Sequence, residues 1–187
     1  MKTRFLRFAT TLFAASALFT ACEKDPEGEG NEEEVITTLQ LTFTSTGSNP
    51  VTYQFDDPDG PGGANPVQDA IVLAANKTYN VSLQLLDKTK TPAANITTEV
   101  EEEGDAHRIY YEPSAGSNIT VSGLNNDADG VPLGTTSTWT TGAAAAGTVK
   151  VTLRHYGGNP PGKQTADPVN SNKSATDIEV TFVTTVQ

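Results

Sequence analysis

The residue types best suited to chemistry fall into two acidic, glycine-bearing segments and one pair of histidines. The first segment reads Asp56-Asp57-Pro58-Asp59-Gly60-Pro61-Gly62-Gly63, the second Asn125-Asn126-Asp127-Ala128-Asp129-Gly130. Asn125, Asp127 and Asp129 followed by Gly130 match the opening of a calcium loop, in which alternate oxygens converge on one hard cation and the glycine permits the sharp bend. The twelfth position of that pattern calls for a bidentate Glu and holds Thr136 instead. In the first segment only Asp57, Asp59 and Gly60 fit, because Phe55 stands in the first position. A complete site would need a further carboxylate from another loop, with Glu103 or Asp105 as candidates. The competing reading is a pair of acidic type I turns with glycine in a left-handed conformation. Asp57, Asp59, Asn125, Asp127 and Asp129 are thus candidate calcium ligands, and calcium is the candidate cofactor.

The chain has two histidines, His107 and His155. Asp105-Ala106-His107 spaces two ligand types along one strand face, and His155 continues the face of Val149, Val151 and Leu153. Two imidazoles on different strands, joined by a carboxylate, would suit zinc or another transition ion. With neither an HxH nor an HExxH pattern, the alternative is two hydrogen-bonded histidines at strand ends. Nucleophilic catalysis finds no support: the one cysteine is Cys22, and no G-x-S-x-G occurs. Trp139 with Tyr110, Tyr111 and Tyr156 either forms a sugar-stacking platform or belongs to the core. These residues point away from an enzyme, with a metal-dependent one as the least favoured reading.

The elements that must position these groups are strands. Leu39–Thr44, Tyr79–Leu85, Val149–Leu153 and Ile178–Phe182 alternate apolar and polar residues with period two. Val51–Phe55, Val67–Leu73, His107–Tyr111, Ile119–Gly123 and Thr135–Thr141 are shorter candidates, separated by polar turns. One segment, Asn95–Gly104, fits a short helix, with Asn95 as N-cap, Ile96 and Val100 on one face and Gly104 as terminator. Its acids near the C-terminal end oppose the helix dipole, which keeps a loop or strand edge as the alternative. The fold expected is all-β, an antiparallel two-sheet β-sandwich, immunoglobulin-like or a similar Greek key, with one short helix. A faint repeat at an offset of 70 residues aligns Val51, Asp57, Asp59, Gly60, Thr78, Val81 and Leu83 with Val121, Asp127, Asp129, Gly130, Thr148, Val151 and Leu153. It suggests two similar halves carrying the acidic loops in equivalent places.

The amino-terminal segment predicts where the domain is displayed. Lys2, Arg4 and Arg7 precede an apolar run from Phe8 to Phe19, too short to cross a bilayer but suited to a signal peptide. Leu18-Phe19-Thr20-Ala21-Cys22 resembles a lipobox, which implies cleavage after residue 21 and a diacylglycerol on Cys22. Residues 22–34 are acid, Gly and Pro with few apolar groups, a disordered tether. Residues 35–187 would then form one domain. Removing the leader leaves nine basic residues against 23 acidic ones, a net charge of −14. That charge disfavours nucleic acid and anionic headgroups as partners.

The lipobox, the acidic tether, Ile36-Thr37-Thr38-Leu39-Gln40-Leu41-Thr42-Phe43, Asp57-Pro58-Asp59-Gly60 and Glu102-Glu103-Gly104-Asp105-Ala106-His107 together resemble a group of small envelope lipoproteins of marine Bacteroidota. The resemblance implies an outer-membrane lipoprotein facing the cell surface or the periplasm and held to the membrane by its lipid. The expected activity is that of a binding or adhesion module with an envelope protein or a glycan as partner. The alternative is an accessory subunit of an outer-membrane uptake or assembly system.

Overall fold

The computed structural model describes residues 34–60 and 62–187. The leader, Cys22 and the tether up to residue 33 lie outside the described residues. Among the described residues eleven strands and one helix follow in chain order: β1 (Thr38–Thr44), β2 (Val51–Asp56), β3 (Val67–Gln68), β4 (Ile71–Leu73), β5 (Thr78–Asp87), β6 (Ala94–Asn95), α1 (Ile96–Glu102), β7 (His107–Pro113), β8 (Ile119–Ser122), β9 (Thr136–Thr141), β10 (Ala145–Tyr156) and β11 (Ser174–Val186). They form two sheets. The larger runs β3-β2-β1-β5-β9-β8, with β6 paired to β5; the smaller runs β4-β11-β10-β7. Every pairing is antiparallel except β4 with β11. The all-β sandwich expected from period-two alternation is the fold.

The alternation works because successive side chains of a strand point to opposite faces. Leu39, Leu41 and Phe43 of β1 and Tyr79, Val81, Leu83 and Leu85 of β5 are buried on the inner face of the larger sheet. Val149, Val151 and Leu153 of β10 and Val180, Phe182 and Val186 of β11 meet them from the smaller sheet in one apolar cluster. Trp139 lies fully buried in that cluster, with the ring edges or faces of Phe43 and Tyr111 at 5.2 and 5.7 Å. Its indole N–H donates to the Ser137 hydroxyl at 3.0 Å. Trp139 is therefore a core residue and cannot stack on a sugar.

One strand departs from the sequence expectation, and one element follows it for a reason the sequence did not supply. The segment Val67–Leu73 is not one strand: β3 closes an edge of the larger sheet, and β4 joins the smaller. The chain changes sheets at Asp69, whose carboxylate accepts the Gln54 N–H at 2.9 Å while its own N–H donates to the Gln54 carbonyl. The segment 95–104 does contain the short helix, over Ile96–Glu102; Asn95 precedes it without a side-chain capping bond, and Glu103 rather than Gly104 caps its end. Packing, not charge, decides this: Ile96, Thr97 and Val100 are buried, and the Thr97 hydroxyl accepts the Leu85 N–H at 2.7 Å. No basic residue sits in the last turn, so tertiary burial carries a helix that its own dipole disfavours. The aligned halves of the faint repeat do not form one unit each. Val51 and Val121 sit in strands of the same sheet, whereas β5 and β10 occupy interior positions of different sheets.

Candidate functional site

Two regions of the sandwich carry polar groups beyond what the fold alone requires: a buried polar cluster beside α1, and the outer face of the larger sheet.

The buried cluster forms where α1 ends, β7 begins, β10 ends and two long loops fold inward. The loop after β10, residues 157–173, is held by cations of the smaller sheet. Arg108 donates to the carbonyls of Gln164 and Thr165, each at 3.1 Å, and stacks on the Tyr110 ring at 4.4 Å. The Tyr110 hydroxyl donates to the Asp167 carbonyl at 3.0 Å. Lys163 of this loop turns inward until its side chain is 1% exposed. Its ammonium donates to the carbonyls of Gly104, His107 and Pro132 and lies 2.6 Å from the Asp127 carboxylate, itself 2% exposed.

The second acidic loop is thereby accounted for residue by residue. Asp127 takes the Lys163 ammonium on one oxygen; the other accepts the N–H groups of Asp129 and Val131 at 2.9 and 2.8 Å. Asn125 accepts from the Gly134 and Thr136 N–H groups and donates to the Thr135 hydroxyl at 2.9 Å. Asp129 is exposed. The Asn125 and Asp127 oxygens singled out as calcium ligands therefore have other partners, and a lysine occupies the position of a cation. Burial pushes the Asp127 carboxyl up, but the Lys163 ammonium and the two N–H groups outweigh it and hold it below the usual range. Burial also lowers Lys163, more than Asp127 raises it. Gly134 closes the loop against β7: its φ is +93°, and a Cβ there would stand 2.9 Å from the Ile109 carbonyl oxygen.

In the first acidic loop, the Asp59 carboxylate accepts the Ala64 N–H at 2.8 Å. Partial desolvation, and then the Asp59 charge beside it, raise the Asp57 carboxyl. Asp57 thus sits close enough to Asp59 for the two charges to repel.

His107 and His155 face each other across the β7–β10 pairing, in register, with ring centroids 4.5 Å apart. His107 is fully buried. Its Nδ1 lies 3.0 Å from the Glu103 carbonyl oxygen, which can only accept, so Nδ1 carries the proton. Nε2 is buried without a hydrogen-bond partner, as is Nδ1 of His155. Burial, reinforced by His155 and Lys163, pushes His107 down to about 4, the Glu103 carbonyl only partly opposing it. The Glu103 carboxylate completes a group of three, with one ligand atom from each residue within 4.8 Å of the others. Glu34 lies nearby; burial, then Glu99 and Glu103, raise its carboxyl. The histidine pair was legible in the sequence. Lys163 was not, because nothing in its spacing relates it to Asp127.

The outer face of the larger sheet is of a different kind. The registers set Thr52, Thr42, Ser82 and Thr136 in one row across four strands. Thr44, Asn80, Thr138 and Ser122 form the next, and Thr78, Thr140 and Thr120 a third. Gln54, Gln40 and Gln84 make a row on the other side. All are exposed or half-buried. Neighbours bond across strands: Thr42 and Thr52 hydroxyls at 2.8 Å, and Gln40 to Gln54 at 3.0 Å. These rows hold no charged residue, in a chain whose net charge is −11. The acidic residues of these strands, Asp56 and Asp87, stand at strand ends.

No family model matches the chain, and no solved structure matches it. Among curated proteins it is similar to hyalin of Strongylocentrotus purpuratus, 32% identical over 133 residues. The match takes in 64% of this chain but only 10% of hyalin, so the chain spans about a tenth of that relative's length.

Proposed function

We propose that this protein is a lipid-anchored envelope module that binds neutral glycan through the outer face of its larger sheet. The observation that carries the reading is the uncharged grid of hydroxyl and carboxamide groups on a strongly acidic chain. Adjacent strands lie about 4.8 Å apart and same-face residues about 6.8 Å apart along a strand, so the grid offers regularly spaced donors and acceptors. Such a surface satisfies sugar hydroxyls by many weak bonds, while the acidic surroundings repel anionic polymers. The likeness to one short portion of hyalin suits a module that also occurs within much longer chains. The lipobox and acidic segment supply anchor and tether, and calcium in the first acidic loop is a compatible but secondary element.

The binding test uses the full chain sedimented with insoluble neutral polysaccharides and with an anionic one. We expect retention on a neutral polymer alone. Thr138→Glu, which puts a carboxylate in the middle of the grid, should weaken retention about ten-fold, the equivalent of roughly 1.4 kcal/mol. Retention unchanged by Thr138→Glu in a folded variant, or no retention on any neutral polymer, would overturn the glycan reading. A stoichiometric outer-membrane protein captured by crosslinking in its place would favour the accessory-subunit alternative.

The anchor is tested separately. In cells fed labelled fatty acid, Cys22→Ser should abolish the label and move the protein from the membrane pellet to the soluble fraction. An unlabelled wild type, or a variant still in the pellet, would remove lipidation from the proposal.

A further inference from the structure

We infer that Glu103, His107 and His155 form a site for a divalent transition ion of the zinc class, independent of any glycan binding. A metal-ligating histidine characteristically donates its second ring N–H to a backbone carbonyl or carboxylate, which fixes the tautomer and aims the remaining lone pair. His107 is arranged in this way: Nδ1–H is committed to the Glu103 carbonyl, and Nε2 is buried with no donor to satisfy it. A fully buried nitrogen in that condition costs stability unless something binds it. Nδ1 of His155, directly opposite across the strand pair, is also buried without a hydrogen-bond partner.

Glu103 serves the site twice, orienting His107 through its carbonyl and offering its carboxylate as the third ligand. The ligand atoms lie within 4.8 Å of one another, whereas bonds of 2.0–2.1 Å in a tetrahedron place them about 3.3 Å apart. The exposed Glu103 side chain and the half-buried His155 supply that closure by rotation, with His107 as the fixed member. Three protein ligands leave a fourth position, open on the Glu103 side and filled by water. Two imidazoles and one carboxylate favour zinc, cobalt, nickel or copper over calcium or magnesium, which take oxygen. The surrounding charge assists. Lys163 is neutralised by Asp127, while Glu34, Glu99 and Asp105 add negative charge around Glu103 and His107.

The test uses the full, untagged chain, stripped with chelator and titrated with zinc or cobalt(II) alone. We expect one equivalent bound, a melting temperature raised by about 5 °C or more at a hundredfold excess over the dissociation constant, and the intense visible bands of tetrahedral cobalt. His155→Gln and Glu103→Gln, both at solvent-reachable positions, should each abolish the stoichiometric binding and the bands. No binding by wild type, the weak spectrum of octahedral cobalt, or binding undiminished in both variants would overturn the proposal. Equal protection by calcium would also overturn it, since that outcome assigns the effect to carboxylates elsewhere.

Discussion

Lys163→Met is expected to destabilise the fold by about 3–5 kcal/mol, because removing one partner of a buried ion pair strands the other. The Asp127 carboxylate would keep its two N–H donors and lose its counter-ion in a place where it is 2% exposed. The carbonyls of Gly104, His107 and Pro132 would lose their shared donor at the same time. For a domain of this size the cost corresponds to a fall of about 10 °C in melting temperature. The pH dependence supplies a second reading. Asp127 is held below the ordinary aspartate value of 3.8 in the folded chain. Its contribution is therefore present above that value and is lost as pH falls through the lower folded one. In Lys163→Met the unpaired carboxyl takes up a proton readily, so the gap between variant and parent should narrow below about pH 4. Urea melts at pH 7 and pH 3.5 measure both effects. A variant within 1 kcal/mol of the parent at pH 7 would mean that the pair holds no part of the fold together.

That ion pair also shows where sequence reading stops. Asp127 stands out in the sequence because Asn125, Asp127, Asp129 and Gly130 have the spacing of a calcium loop. The spacing reports only that several oxygens are near one another along the chain. Which cation meets them depends on a loop 36 residues later. A turn whose carboxylate accepts two N–H groups of its own backbone has the same residue pattern as a metal loop, since both need short acidic side chains and a glycine. The histidines fared differently. His107 and His155 are legible as strand residues, and antiparallel register alone decides that they stand opposite each other.

Trp139→Ala should cost about 3–5 kcal/mol, the range for emptying a fully buried aromatic site. The ring is 0% exposed and touches Phe43 and Tyr111 edge-on, and Phe43 in turn meets Tyr53 and Tyr79. Those contacts join β9 to β1, β2, β5 and, through Tyr111, to β7 of the opposite sheet. The Ser137 hydroxyl would also lose its donor. Trp139→Phe keeps most of the volume and should cost clearly less. Urea unfolding followed by circular dichroism compares the two. The parent chain has one tryptophan, so its fluorescence should be that of a buried indole and should not change when polysaccharide binds. An emission change with polysaccharide, or a Trp139→Ala variant of near-parent stability, would contradict a core role.

The sequence by itself determined which residues point inward. Period two is a local property of an extended backbone, and Leu39, Leu41, Phe43, Val149, Val151, Leu153, Val180 and Phe182 are buried as the alternation requires. It determined the turns and the place of the short helix, while burial of Ile96 and Val100 against β5 holds that helix. Tertiary structure alone decided the sheet change at Asp69, the placing of Lys163 against Asp127, and the convergence of Glu103, His107 and His155. It also decided that the hydroxyl and carboxamide residues of five strands would join into one set of rows. Each of these depends on which strands become neighbours. Strand neighbours are set by the packing of whole sheets rather than by any stretch of chain, and that information is spread across the sequence without a local pattern to reveal it.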